Sequence, residues 1–313
     1  MTTPAASDSG GVFEATKDQA DRRLDRVLRG MFRDVPLGAI MKGLRNGSVR
    51  VNGNKTSPDA RLLEYDVVTY PWVSACALEK RLRTNEAKFP REHEKLVTLF
   101  KNDDLWCVDK PAGLLSQPDR AEGDSIVTRA WAELGRGGWD FRPALIGRLD
   151  RNVSGVSAIA LSAMALRSLS EAVRRSLVEK IYVAVVSGVV PKEGDISLPL
   201  VKDSEKNFVR PAAPGEKGMD ARTKFRLLES RGKISLVEVE LVTGRPHQVR
   251  VHLASIGHPI LGDTKYGPRA ARQSGLMLHS HRMSFPDMPE FPEALRGLVV
   301  ISPIPQSFWG YCV

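Results

Sequence analysis

Residues 147–155 read GRLDRNVSG, and this stretch holds the carboxylate on which the interpretation of the whole chain depends. The segment is polar and bounded by glycines, and a short apolar run follows it at residues 156–161. This pattern predicts a loop that leads into a buried strand. Loops held by a rigid sheet commonly carry catalytic groups, which makes Asp150 a candidate catalytic residue. A surface ion pair with Arg148 or Arg151 is the alternative interpretation.

Two shorter motifs lie on either side of this loop. Residues 110–113 read KPAG directly after a strand-like run, so they predict a tight exit from a sheet. Residues 180–182 read KIY at the start of another predicted strand. A tyrosine in a strand is usually core or edge filler, but its ring can also stack on a nucleic-acid base.

A fourth motif, TGRPHQVRVH, covers residues 243–252. Its glycine ends a strand, and Pro246 fits the first turn of a helix. We expect Arg250 to extend from that helix and Arg245 to extend from the loop before it. The two histidines of the motif lack the spacing of metal ligands on a helix, so no zinc site is predicted.

The segments around these motifs predict the class of the fold. Strand-like runs occur at 97–100, 105–108, 156–161, 180–186 and 237–241, and helical patterns occur at 126–134 and 166–177, the first with Asp124 as a candidate cap. Strands and helices do not alternate regularly. We therefore expect an α+β domain with a mixed, mainly antiparallel sheet rather than a doubly wound fold.

The N-terminal part of the chain predicts a separate small α+β domain over residues 17–76. Apolar residues recur at helical spacing from residue 24 to 32, and Pro36 opens a second helical pattern that stops at Asn46-Gly47. Asn52-Gly53 is a strong signal for a hairpin turn, and another strand is expected at residues 66–70.

The remaining segments complete the expected organisation. Residues 1–16 are predicted to be a disordered tail without the features of a secretory signal, residues 77–92 a linker, and residues 93–313 the catalytic domain. No apolar run is long enough for a membrane-spanning helix, so no membrane association is expected. Three scattered cysteines suit a reducing, cytoplasmic location. We expect a monomer without an obligate protein partner.

The charge of the chain favours a polyanionic partner. The net charge is +9 and the isoelectric point is about 9.6. Residues 17–66 alone contain 11 Lys and Arg against 7 Asp and Glu. Because neutralising phosphates releases counterions, clustered basic residues favour nucleic-acid binding. An unremarkable basic surface is the alternative explanation.

Taken in this order, the four motifs resemble those of the RluA family of pseudouridine synthases. That family typically shows Lys-Pro-x-Gly, then His-Arg-Leu-Asp-x-x-Thr-Ser-Gly, then Lys-x-Tyr, then Thr-Gly-Arg-x-His-Gln-hydrophobic-Arg-Val-His. The resemblance continues through residues 257–267 and 278–286, and motifs in register over this length are highly specific. The N-terminal pattern resembles the S4-like RNA-binding domain. Its expected RNA contacts are Lys42, Arg45, Arg50 and Lys55.

The resemblance implies a role for each motif residue. Asp150 is expected to be the essential carboxylate, and Arg250 its cationic partner. Tyr182 is expected to stack on a flipped uridine, and Arg148 to fill the gap that the base leaves in the RNA. Scaffold and phosphate contacts are expected from Lys110, Arg245, His247 and Gln248. Isomerisation conserves the atoms of the substrate, so no cofactor is expected.

Three positions depart from the family pattern. Gly147 replaces the usual His, Val153 the usual Thr, and Pro246 the Thr or Ser before the motif histidine. The expected reaction is uridine isomerisation in large-subunit ribosomal RNA, which family members with an S4-like domain often modify. Transfer RNA as substrate and an inactive RNA-binding or ribosome-assembly factor are the alternatives. A glycosidic hydrolase commonly needs two carboxylates, and the sequence offers one well-placed candidate.

Overall fold

A computed structural model describes most of the 313-residue chain. The described residues are 11–16, 19–32, 35–72, 93–119, 123–135, 141–203, 207–268 and 275–310. The chain divides into two units, the first formed by Met1–Phe89 with Leu134–Arg142 and the second by Pro90–Glu133 with Pro143–Val313. The predicted linker at 77–92 lies outside the described residues.

The first unit contains two helices and one small antiparallel sheet. Its elements are β1 (Gly11–Glu14), α1 (Leu24–Met31), α2 (Leu37–Asn46), β2 (Arg50–Val51), β3 (Asn54–Lys55) and β4 (Val67–Tyr70). The sheet has the order β1-β4-β2-β3. Both predicted helices and the predicted hairpin are confirmed.

Local sequence explains the ends of these elements. Helix α2 begins after Pro36 and ends at Gly47, whose left-handed backbone (φ 80°, ψ 14°) favours glycine. Asn52 (φ 50°) and Gly53 (φ 79°) both have positive φ, as a two-residue hairpin turn with the twist of the flanking strands requires.

The prediction that residues 1–16 form a disordered tail is wrong for its last part. Strand β1 pairs with β4 from Gly11 opposite Tyr70 to Glu14 opposite Val67. The ring of Phe13 packs against Tyr70 with centroids 6.2 Å apart. Tertiary pairing at the free edge of β4 therefore orders a segment whose own composition carries no strand signal. Residues 1–10 lie outside the described residues.

The second unit is built on one large sheet. Its strands are β5 (Val97–Lys101), β6 (Leu105–Lys110), β7 (Ala144–Leu145), β8 (Ser154–Ala160), β9 (Glu179–Ser187), β10 (Glu193–Ser197), β13 (Arg222–Arg231), β14 (Ile234–Leu241), β15 (Leu278–Ser284) and β16 (Val299–Ile301). The order is β10-β13-β14-β9-β15-β8-β6-β5, with β16 on β15 and β7 on β8. A separate hairpin joins β11 (Leu200–Asp203) to β12 (Phe208–Pro211).

One pairing of this sheet, between β8 and β15, is parallel and the other described pairings are antiparallel. The predicted α+β class with a mixed, mainly antiparallel sheet is therefore confirmed. The helices are α3 (Ile126–Glu133), α4 (Ala163–Arg174), α5 (Gln248–Ser255) and α6 (Gln306–Trp309). Among the described residues, no helix has both the length and the apolar character needed to cross a bilayer.

Two details of the predicted helices are wrong. Ser125, rather than Asp124, caps α3 by accepting a hydrogen bond from the Thr128 amide at 3.2 Å, because the Asp124 carboxylate is bound by Arg129. Pro246 lies in a turn rather than in the first helical turn, and α5 begins two residues later. His247 therefore precedes the helix, in a left-handed backbone conformation.

Candidate active site

The candidate carboxylate lies in the loop between β7 and β8. The loop turns tightly, with the Val153 amide bonded to the Asp150 carbonyl at 3.1 Å. The side chain of Val153 packs in the apolar cluster of β9 and α5, while the Asp150 side chain stays 31% exposed. The loop is therefore anchored in the core through Val153, while Asp150 is partly exposed.

The KPAG turn clamps this loop. Lys110 is fully buried, and its ammonium donates to the carbonyls of Pro111 (2.9 Å), Arg151 (2.7 Å) and Val153 (2.8 Å). Three donors meet three acceptors, which only the charged amine can achieve. Burial lowers the pKa of Lys110 to about 8. The three N–H donors of this buried side chain are all engaged within the protein.

Arg250 joins Asp150 to a second carboxylate. From helix α5 its Nη1 donates to Oδ2 of Asp150 at 2.8 Å, while Nε and Nη2 bind Asp263 at 2.8 and 2.9 Å. Burial opposes the guanidinium charge, but hydrogen bonds and charges from Asp263 and Asp150 raise the pKa of Arg250 overall. Asp263 is 1% exposed and also accepts the amides of Lys265 and Tyr266. The two hydrogen bonds to Asp263 thus fix the orientation of the Arg250 guanidinium, so that its Nη1 points at Asp150.

His247 lies on the other side of the same carboxylate. Its Nε2 is 3.8 Å from Oδ2 of Asp150, and its Nδ1 is 2.6 Å from the Tyr266 hydroxyl. Burial, more than the opposing charge of Asp150, lowers the pKa of His247. This position favours a role for His247 beside the Asp150 carboxylate over the expected contact with an RNA phosphate.

Gln248 and Arg245 build the turn that precedes α5. The Gln248 side chain is 2% exposed, accepts from Thr243 and the Arg245 amide, and donates to the Arg222 carbonyl and to Thr223. Its buried amide is thus fully engaged within the turn. Arg245 is exposed and donates through Nε to the Asp220 carbonyl.

Tyr182 and Arg148 complete the residues near the carboxylate. Tyr182 lies on β9 with little exposure, and burial raises its pKa to about 12, with Ser280 opposing and Asp150 adding to the shift. Its phenol therefore stays neutral at ordinary pH. Arg148 is exposed and forms no hydrogen bond or ion pair with the described part of the chain. Arg148 is therefore open to a substrate at the Asp150 loop, whereas the Tyr182 ring is largely buried.

Comparisons with known proteins agree with this geometry. A sequence profile described as RNA pseudouridylate synthase matches residues 104–255. The chain is 30% identical over 305 residues to the ribosomal large subunit pseudouridine synthase C of Haemophilus ducreyi, covering 93% of this chain and 91% of that protein. The chain belongs to the RluA family of pseudouridine synthases. A second relative of the same name, from Escherichia coli (strain K12), is 33% identical over 268 residues, covering 82% and 80%.

A solved structure supports the pseudouridine synthase fold. Human RNA pseudouridylate synthase domain containing 4 superposes with a TM-score of 0.56 at 24% identity, covering 68% of this chain and 90% of that one. At this identity the likeness concerns the fold alone. Within the described residues, no group of three or more His, Cys, Asp or Glu side chains is arranged to hold a metal ion.

The structure accommodates the departures of this RluA-family chain. Gly147 is exposed, and a Cβ placed there meets nothing within 4 Å, so the missing histidine leaves no packing defect. Val153 replaces a polar residue but lies in the core, where a valine packs without an unpaired hydroxyl. Pro246 is exposed in its turn. None of the three disturbs the contacts of Asp150.

Sequence reasoning missed Asp263 and Tyr266 as members of this RluA-family site. Both fall in the stretch 257–267 that resembles the family, but neither received a role. Asp263 lies 13 residues after Arg250, and no helical or strand period connects the two. Only the fold of the loop after α5 brings Asp263 close to Arg250. The resemblance of residues 257–267 to the family was therefore the one sequence feature that could have identified the two missed residues.

The four basic residues expected to bind RNA lie in the first unit. Lys42 and Arg45 are exposed on α2, and Arg50 and Lys55 are exposed on the hairpin. Arg50 stands directly opposite Lys55 in the register of β2 and β3. Like charges that stand directly opposite each other destabilise a sheet. The stability of the fold therefore does not explain why two basic residues occupy these positions.

Proposed function

We propose that this protein isomerises specific uridines of large-subunit ribosomal RNA to pseudouridine, with Asp150 as the catalytic carboxylate. The observation that carries the proposal is the Asp150 side chain, which is 31% exposed and bound at 2.8 Å by an arginine that Asp263 fixes in place. The choice of RNA rests on the names of the relatives, which match more than 80% of this chain.

The reaction rearranges bonds without changing composition. The C1′–N1 glycosidic bond breaks, the uracil turns, and a C1′–C5 bond forms. C5 then loses its proton and N1 gains one, so that neither electrons nor atoms are exchanged with another reagent. Asp150 initiates the process either as a nucleophile or by removing a ribose proton. Arg250 donates to this carboxylate at 2.8 Å and places a positive charge beside the group on which both routes depend.

The other site residues serve recognition of an extruded uridine. The target base is stacked within RNA and must leave the stack before its glycosidic bond can be reached. We assign Tyr182 to stacking on the flipped base, because its ring is held on a central strand near Asp150. We assign Arg148 to the gap in the RNA, because its exposed guanidinium stands beside the carboxylate loop.

The first unit supplies a candidate surface for RNA. Lys42, Arg45, Arg50 and Lys55 are exposed, and none forms an ion pair with another described residue. Unpaired cations of this kind gain most from phosphate, because binding releases counterions. We propose that this unit is S4-like and holds the RNA backbone. The reaction we propose needs neither a cofactor nor a protein partner, and we place it in the cytoplasm.

Direct mapping of the product tests the proposal. Wild type, Asp150→Asn and the exposed-turn control Asp103→Asn are incubated with unmodified large-subunit ribosomal RNA and, separately, with tRNA transcripts. Pseudouridine is then located by carbodiimide labelling and primer extension. We expect new stops in ribosomal RNA with wild type and the control, and none with Asp150→Asn despite retained RNA binding.

The other outcomes separate the alternatives. Stops confined to tRNA keep the chemistry and replace the substrate. Binding of ribosomal RNA without stops in either RNA supports an inactive RNA-binding factor. Full activity of Asp150→Asn refutes the assignment of the catalytic carboxylate.

A further inference from the structure

Two donors converge on one oxygen of the Asp150 carboxylate. Arg250 Nη1 lies 2.8 Å from Oδ2, and His247 Nε2 lies 3.8 Å from the same atom. The other oxygen, Oδ1, accepts no hydrogen bond from the residues that the structure describes. The carboxylate is therefore held by one oxygen while the second remains available to a substrate.

Tyr266 determines which nitrogen of His247 carries the proton. The Tyr266 hydroxyl accepts the Val209 amide at 3.0 Å and lies 2.6 Å from Nδ1 of His247. A hydroxyl has one hydrogen, and among the described residues Nδ1 is the only acceptor within its reach, so the arrangement that satisfies both groups has the hydroxyl donating to Nδ1. Nδ1 is then the acceptor, and the proton of the neutral imidazole lies on Nε2, facing Asp150.

Burial, together with two neighbouring cations, favours the neutral form of the imidazole. Asp150 faces Nε2 from the β7–β8 loop, Arg250 extends from α5, and Asp263 and Lys265 lie on the loop after α5. Burial is the largest influence that lowers the pKa of His247, with Arg250 and Lys265 acting in the same direction and the carboxylates opposing. A neutral ring with its N–H on Nε2 is the state that agrees with the Tyr266 contact.

The backbone of His247 is strained to aim the ring in this direction. The residue has φ 54° and ψ 12°, in the left-handed region that non-glycine residues rarely adopt. The Gln248 side chain holds the turn through four hydrogen bonds, and the His247 carbonyl accepts the Val251 amide at 3.0 Å. Strain that the surroundings enforce in this manner is typical of functional sites.

We propose that Tyr266 and His247 form a positioning pair, in which the Nε2–H of His247 and the guanidinium of Arg250 together hold Oδ2 of Asp150 and leave Oδ1 as the reacting oxygen. Hydrogen bonds of unliganded sites are often long and shorten in the substrate complex. The 3.8 Å separation between His247 Nε2 and Asp150 Oδ2 must shorten in this way for the pair to hold the carboxylate. This inference rests on the proposed function, since it assigns positions around the carboxylate that performs the isomerisation.

Multiple-turnover kinetics of His247 variants, measured over a range of RNA concentrations, test the pair. We expect His247→Leu to lower kcat about 10- to 100-fold with KM for RNA unchanged, because orientation of the carboxylate is lost while binding surfaces remain. His247→Gln places an amide N–H near the position of Nε2 and recovers part of the loss. A change in KM alone, or equal losses in both variants, overturns the positioning role.

The pH dependence of Tyr266→Phe provides a readout that a structural role does not move. Removing the hydroxyl leaves the tautomer of the neutral ring undetermined at about pH 8. At a lower pH, below the lowered pKa of His247, protonation puts a hydrogen on Nε2 and draws the imidazolium to the carboxylate. The kcat ratio of variant to wild type should therefore rise towards one at the lower pH. Phe208→Leu, which alters packing on the Tyr266 ring without touching its hydroxyl, should give the same ratio at both pH values. A pH-independent ratio for Tyr266→Phe overturns the inference.

Nitrogen-15 NMR of labelled histidine tests the tautomer without any assay of activity. We expect wild-type His247 to be neutral at about pH 7 with its proton on Nε2. A proton on Nδ1, or an imidazolium, refutes the pair even where Asp150→Asn is inactive. Conversely, an active Asp150→Asn refutes the proposed function whatever the tautomer, so the two failures are distinguishable.

Discussion

Replacing Asp263 by Asn should damage both the stability of the second unit and its activity. The carboxylate is 1% exposed and accepts two hydrogen bonds from Arg250 and two from backbone amides. Asparagine keeps the volume but replaces one acceptor oxygen with an NH₂ group, which cannot accept from a guanidinium. The substitution leaves the buried arginine charge only partly compensated.

The structure indicates the size of the effect. Removing one partner of a buried ion pair costs about 3–5 kcal/mol of unfolding free energy. For a unit of this size each kcal/mol lowers the melting temperature by about 2–4 °C, which gives a decrease of roughly 10 °C. Because Arg250 also loses its fixed direction towards Asp150, we expect kcat to fall by about 100-fold.

Thermal unfolding and pseudouridine formation would measure the two effects. Asp195→Asn is the matched control, because Asp195 accepts an equivalent bidentate arginine contact from Arg222 at the exposed surface. We expect no measurable change in melting temperature or kcat in the control, since water replaces a lost surface contact. An Asp263→Asn variant that melts and reacts like this control refutes the reasoning.

Three further predictions follow from other contacts. Lys110→Met should lower kcat about 10-fold and reduce stability, because two carbonyls of the carboxylate loop and the carbonyl of Pro111 lose their donor; denaturant melts and kinetics measure both. Burial raises the pKa of Tyr182 to about 12. Its contribution to stability is therefore complete below about pH 10 and is lost as the pH rises towards 12, so urea midpoints of wild type should fall in this range relative to Tyr182→Phe. Replacing Arg50 and Lys55 by Ser should weaken RNA binding equally for all sequences, and the slope of log affinity against log salt should become shallower by about 1 per lost phosphate contact. An unchanged slope would contradict RNA contact by the hairpin.

Local signals in the sequence explain why much of the fold was predictable. The hairpin turn at Asn52-Gly53 and the helix end at Gly47 depend on backbone conformations that few residues adopt, so the residue type identifies the structure. The mixed sheet followed from the irregular order of strand and helix patterns. Strand β1 was missed because its stability comes from pairing with β4, some fifty residues away.

The site was predictable where the chain repeats a family motif and unpredictable where residues meet only in space. The sequence by itself determined the family, the candidate carboxylate Asp150 and its arginine, because these occur in motifs whose order and spacing are specific. The tertiary structure alone decided that Asp263 holds Arg250, that the Tyr266 hydroxyl meets His247, and that the Lys110 ammonium is buried against carbonyls of the carboxylate loop. These contacts depend on distances across the fold and on burial, which sets whether a charge is available to a substrate or engaged within the protein.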